Sequence, residues 1–251
     1  MAKNINSAYR IKEILDSVKT KADNLPAHAV WSEIFGLIET DQRKKNFSIS
    51  RCLADLHDEV EHVRNEMLKA GYTPDLYAPT LNKCNSIIAV EYIPGQWAQP
   101  KHQITPEVST ILGFCSEILP NEENLVDPIC LEELRQMAAN LRELLSKSNL
   151  PTFTINIIEK HLSKIEEAIS SYSIVGAKAL EEVMQSAYGE VIANEEVFKG
   201  AKGSEELTKL SNIWQKTKSV LDGVVSANKL IGAAQGMAEK GQSLIEFIQG
   251  L

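Results

Sequence analysis

The densest group of chemically versatile side chains is Arg51-Cys-Leu-Ala-Asp55-Leu-His57-Asp58-Glu59-Val-Glu61-His62. A guanidinium, two imidazoles and several carboxylates within so short a stretch could bind a phosphate, move a proton or hold a metal. Glu59 and His62 have the Glu-x-x-His spacing of half a di-iron site, whose bundle needs a second copy of the motif, and the sequence holds none. His57 and Asp58 place an imidazole beside a carboxylate, with Arg51 as a cation six positions earlier.

The element that must position these groups is a long helix read from Ile49, Leu53, Leu56, Val60, Val63 and Met67, ending at Gly71. With this apolar seam at zero and about 100° per residue, Arg51, Asp58 and His62 point to about 200°, 180° and 220°. That direction is water. Arg51 with Asp55 and Asp58 with His62 then read as i,i+4 pairs on a solvated face. The His57-Asp58 pair resembles the centre of the HD phosphohydrolases, a resemblance that implies His28 and Asp127 as outer ligands. Arg51-x5-His57 resembles the signature of the HEPN ribonucleases, although a polar residue usually follows that arginine and here it is Cys52. A ribonuclease or HD-like phosphohydrolase using Arg51, His57 and Asp58 is therefore the enzymatic alternative, set against an expectation of no catalytic residue, no cofactor and no metal.

Other candidates are weaker. His161 borders the seam at Leu162 and reads as a boundary histidine, while His28 and His102 have no ligand at i+3 or i+4. Cys115 falls on an apolar face and reads as inert packing. Cys52, Cys84, Cys115 and Cys130 fit no CxxC site and read as reduced thiols of a cytoplasmic protein. Gly200-Ala-Lys-Gly203-Ser204 lacks the spacing of a phosphate-binding loop.

The remaining pattern is helical. Ala8, Ile11, Leu15, Val18 and Ala22 mark a first helix capped by Ser7, and Val30 to Ile38 a second; Arg43-Lys44-Lys45 reads as a solvated loop before the third. Residues 72–104, rich in proline and aromatic residues, read as a joint between a helical part at 1–71 and a C-terminal bundle at 105–251. Within the joint, residues 86–93 suit a helix better than a lone strand. Thr105-Pro106-Glu107, Asp127-Pro128 and Pro151-Thr152 open three further helices. The fold class expected is all-α, a bundle of about eight or nine helices.

The last 48 residues read as helix, with a coiled-coil seam at Val220, Gly223, Ala227, Leu230, Ala234, Met237, Gly241, Leu244, Ile248 and Leu251. Its small residues favour close approach of a second helix. The partner expected is the protein's own bundle, ahead of a homo-oligomer; a membrane-active effector working through this helix is a further alternative, weakened by the absence of a basic flank.

Net charge is −8, made of +3 over residues 1–51 and −11 over the rest, which disfavours nucleic acid as a partner. No run of 18 apolar residues and a charged start predict neither a membrane span nor a secretory signal. Three segments, Val30-Trp31-Ser-Glu-Ile-Phe35-Gly36, Trp97 to Pro120 with Ile104-Thr105-Pro106-Glu107, and Leu150-Pro151 leading to Ile165-Glu-Glu-Ala-Ile169-Ser-Ser-Tyr172, resemble a group of bacterial all-helical proteins of similar length. That resemblance rests on packing residues and helix caps, so it implies a fold and a bacterial setting, phage defence or toxin control among them, but no catalytic residue. The functional expectation is a non-enzymatic helical module of a bacterial cytoplasm that binds a protein partner.

Overall fold

The structure is a computed structural model in which residues 4–224 are described. Among them every regular element is helical: eleven α-helices, nine of them seven residues or longer, with two 3-10 turns and no strand. The chain divides into two compact units. Among the described residues one holds 4–122 and Ser173–Gly176, the other 123–172 and 177–224.

In the first unit, α1 (Ser7–Lys19) is capped one residue earlier than its serine suggests. Asn6 accepts from the Tyr9 backbone N–H at 3.1 Å and donates its amide to the Ser116 carbonyl at 2.9 Å, so one side chain caps α1 and ties it to α6 (Pro106–Ile118). Helix α2 (Ala27–Ile34) follows Pro26, and α3 (Gln42–Lys69) is capped by Asp41 and stopped at Gly71, whose φ of 82° is the left-handed geometry that glycine adopts freely. Arg43, Lys44 and Lys45 are not a loop, because Asp41 accepts from the Lys44 N–H and starts the helix ahead of them.

The stretch read as a joint is instead core of this unit. It folds as a 3-10 turn (Pro74–Leu76), α4 (Ala78–Ile87), a second 3-10 turn (Val90–Tyr92) and α5 (Ala98–Lys101). Pro74, Pro79 and Pro106 stand in first turns, where a missing N–H costs nothing, so they start short helices rather than mark a linker. Trp97 is fully buried, donates its indole N–H to the Val18 carbonyl at 3.0 Å and meets Trp31 edge to face at 5.3 Å. The run 86–93 is the end of α4 and a turn, not a strand. Helix α6 also packs in this unit, against α1, so the boundary lies after Glu122 rather than near residue 105.

The second unit holds α7 (Pro128–Leu145), most of α8 (Thr152–Val175), α9 (Lys178–Ala193), α10 (Glu195–Gly200) and α11 (Glu205–Val224). Leu134, Ala138, Leu141 and Leu145 of α7, Ile158, Leu162 and Ile165 of α8, and Leu210, Ile213 and Trp214 of α11 supply its core at helical spacing. Helices α7 and α11 run antiparallel. Lys216 pairs with Glu133, and the Asn124 N–H donates to the Val224 carbonyl at 2.6 Å.

Candidate functional site

The outer face of α3 is where the sequence concentrates its chemistry. Leu53, Leu56, Val60 and Val63 turn inward and are buried, which leaves Arg51, His57, Asp58 and His62 exposed. His57 is nevertheless held. Its Nδ1 lies 3.0 Å from Asn85 Oδ1 on α4, while the Asn85 amide donates to Glu61 at 2.9 Å and Arg64 donates to both Glu61 and Asn82. A carboxylate only accepts, so Asn85 must turn its NH2 to Glu61 and its oxygen to His57. With that orientation the His57 Nδ1 is the donor to the Asn85 oxygen. Burial works against the Glu61 charge, but hydrogen bonds from Arg64 and Asn85 outweigh it and hold its carboxyl below the usual range. Arg51 stands about 9 Å farther along the helix axis by helical rise.

The Glu59 and His62 half-site is divided between two tasks. Glu59 is buried and takes the Arg10 guanidinium at 2.9 Å, while exposed His62 lies 3.8 Å from Glu122. Arg10, itself buried, also donates to Glu122 at 2.7 Å, to Ser7 Oγ at 3.2 Å and to the Ile174 carbonyl at 2.8 Å. Two carboxylates, a hydroxyl and a carbonyl around one guanidinium form a structural clasp, the use that buried ion pairs with satisfied hydrogen bonds best serve. Nothing in the sequence around Arg10 signals it, because its partners lie 49, 112 and 164 positions away.

In the second unit His161 is not a boundary residue; its relative exposure is 0%. It sits between Phe198 and Trp214, edge to face with both, and Glu190 lies 3.5 Å from its Nε2. Glu190 receives Lys160 and Lys164. Burial pushes the His161 pKa down to about 4, against the pull of Glu190, so the ring is neutral. Neither His161 nitrogen, nor Trp214 Nε1, nor Ser211 Oγ forms a hydrogen bond among the described residues.

Cys52, Cys84 and Cys115 are buried and reduced, and burial lifts their thiols to about 12, 12 and 11, which suits packing rather than nucleophilic attack. Among the described residues no group of three or more His, Cys, Asp or Glu is placed to hold a metal ion, and no helix is long and apolar enough to cross a membrane. His28, His57 and Asp127 are thus not gathered as a ligand set. Of the C-terminal seam, Val220 is buried but Gly223 is exposed, and the stripe that α11 buries runs through Ile213, Thr217, Val220 and Val224. Ala227, Leu230, Ala234, Met237, Gly241, Leu244, Ile248 and Leu251 lie outside the described residues.

Among the described residues the most exposed large apolar side chains flank the start of α3: Ile38, ahead of it, at 84% and Phe47, in its second turn, at 77%. Ser48 Oγ donates to Glu39 at 2.8 Å and so fastens the segment carrying Ile38 beside the turn carrying Phe47. Arg43 and Lys44 are exposed and Lys45 half-buried in the first turn of α3, one turn before Phe47. No family model matches the chain, and neither a curated protein nor a solved structure matches it.

Proposed function

We propose that the chain is a non-enzymatic helical module that acts by binding another protein, through the surface where Ile38 and Phe47 stand beside Arg43, Lys44 and Lys45. A single exposed apolar side chain is ordinary. Three cations in the first turn of α3 are not, because that end of a helix carries the positive end of its dipole and favours acids. A local rule broken next to the two most exposed large apolar side chains among the described residues is the observation that carries this reading. The chemistry of the surface fits an acidic, amphipathic segment of a partner, with carboxylates meeting the cations and apolar residues covering Ile38 and Phe47. The setting, a bacterial cytoplasm with phage defence or toxin control as the process, belongs to the same proposal and rests on the resemblance of Val30–Gly36 and the two later segments.

The test is capture of a partner by the full chain from a bacterial extract, followed by titration of the two purified proteins in a calorimeter. Ile38→Ser with Phe47→Ser, and separately Arg43→Glu with Lys44→Glu, are expected to weaken binding by about tenfold or more each, the second set with a marked loss of salt dependence. Binding that survives both sets would overturn the surface assignment. Attachment to anionic vesicles without any protein partner would overturn the proposal, as would ribonuclease or phosphatase activity of the purified chain that disappears in His57→Ala.

A further inference from the structure

Six buried side-chain polar atoms make no hydrogen bond among the described residues, and four of them lie together in the second unit: both ring nitrogens of His161, Trp214 Nε1 and Ser211 Oγ. The three side chains are buried and share one neighbourhood. The His161 ring on α8 meets the Trp214 ring on α11 edge to face at 5.5 Å, with Phe198 of α10 at 6.2 Å from the same imidazole. Ser211 precedes Trp214 by three residues, so the two side chains are neighbours on one face of α11. A buried polar atom without a partner is costly, and native cores leave few of them. Four around one aromatic contact point to a partner that they share.

The chemistry of the three side chains defines that partner. An indole nitrogen only donates. His161 Nε2 faces the Glu190 carboxylate at 3.5 Å, where a lone pair would be repelled, so the proton of the neutral ring stands on Nε2 and Nδ1 only accepts. The Ser211 hydroxyl can do both. A partner that accepts from Trp214 and donates to His161 needs both kinds of site, and among buried rings it must be small. Water meets each condition. With two donors and two acceptors it satisfies three buried groups at once, and it bridges two of them across about 5–6 Å. We propose that His161, Ser211 and Trp214 form an internal hydration site that holds one water between α8 and α11. A single enclosed water does not hydrate a cation, so the imidazole beside it stays neutral.

The experiment is NMR on the full chain with nitrogen-labelled tryptophan and histidine, the Trp214 signal being assigned by its loss in Trp214→Phe. Magnetisation transfer from water to the Trp214 indole proton is expected, with the sign that marks a water held by the protein rather than one diffusing past it. The His161 nitrogens are expected to report a proton on Nε2. Ser211→Ala removes one of three partners, so the transfer is expected to persist while the folding equilibrium constant from urea unfolding falls about fivefold. A dry site predicts the opposite sign, because deleting a hydroxyl that has no partner raises that constant. Absence of transfer in the wild type would overturn the proposal, and that spectrum stands whether or not a variant folds. A proton on Nδ1 would overturn it as well. Transfer lost in Ser211→Ala would assign the signal to the hydroxyl itself, and a raised folding constant would remove Ser211 from the site; either result overturns the three-partner arrangement.

Discussion

A neutral histidine enclosed by Phe198 and Trp214 makes the second unit sensitive to acid. Folding lowers the His161 pKa from 6.5 to about 4, chiefly through burial, so below pH 6.5 the unfolded chain takes up a proton that the folded chain refuses. The stability this histidine allows is complete above about pH 6.5, falls as the pH drops through that value and levels off below about 4. By pH 4.5 the loss is about 2–3 kcal/mol. In His161→Phe the ring keeps its aromatic neighbours and the proton uptake is gone, so urea unfolding at pH 7.0 and 4.5 should show the wild type losing about 2–3 kcal/mol more than the variant. Equal losses would mean that His161 is solvated in the folded state. Burial works against the Glu190 charge while Lys160, Lys164 and His161 hold its carboxyl low, so the variant keeps both lysines and loses only the imidazole's share. The sequence placed His161 beside the Leu162 seam but not inside the core, because a helical wheel gives direction only. How deep a residue lies depends on what α10 and α11 bring over it.

At the scale of elements, two glycines that a sequence pattern treats alike differ in what they do. Gly71 ends α3 with φ at 82° and an added Cβ there would meet nothing within 4 Å, so its requirement is backbone conformation alone. Gly223 stands in α11 with nothing within 4 Å among the described residues either, but on helical backbone. Gly71→Ala should therefore destabilise by about 1 kcal/mol, and Gly223→Ala should stabilise by about 0.5–1 kcal/mol through helix propensity. Thermal melts of the two single variants against wild type check the opposite signs, and a destabilised Gly223→Ala would place a close neighbour at that position. Gly71 was legible because it follows the last apolar residue of a long regular pattern. The phase of α11 was not, because its buried stripe includes Thr217, whose hydroxyl is satisfied by donating to the Ile213 carbonyl at 2.9 Å. A buried polar residue with a local partner is invisible to a pattern of apolar spacing. Residues 72–104 misled in the opposite direction: proline and aromatic residues read as a break, whereas here Pro74 and Pro79 start short helices and Tyr77 and Trp97 fill the core.

The whole molecule is less legible still, since the first unit is completed by four residues from far along the chain. Ser173–Gly176 belong to it, Ile174 is buried in its core with a relative exposure of 0%, and the Ile174 carbonyl accepts from Arg10. The helical class and most helix starts follow from caps and apolar spacing, which are local. The return of the chain does not, because α8 continues past Tyr172 with an unbroken helical pattern and no residue type marks the point where one core gives way to another. Ile174→Ala should cost the first unit about 2–5 kcal/mol, the range for an aliphatic side chain cut back in a closed core. Arg10→Met should cost about 3–5 kcal/mol by leaving Glu59 and Glu122 without their cation. Hydrogen exchange read segment by segment separates this from a general weakening. In both variants amide protection should fall across α1 and α3, more than 100 positions from Ile174, while α9 and α11, closer to it in sequence, keep theirs. Loss confined to α8 would mean that residues 173–176 are a passive extension of that helix. Equal loss in all helices would mean that the two units unfold as one, and the clasp at Arg10 would then stabilise the entire chain rather than one of its cores.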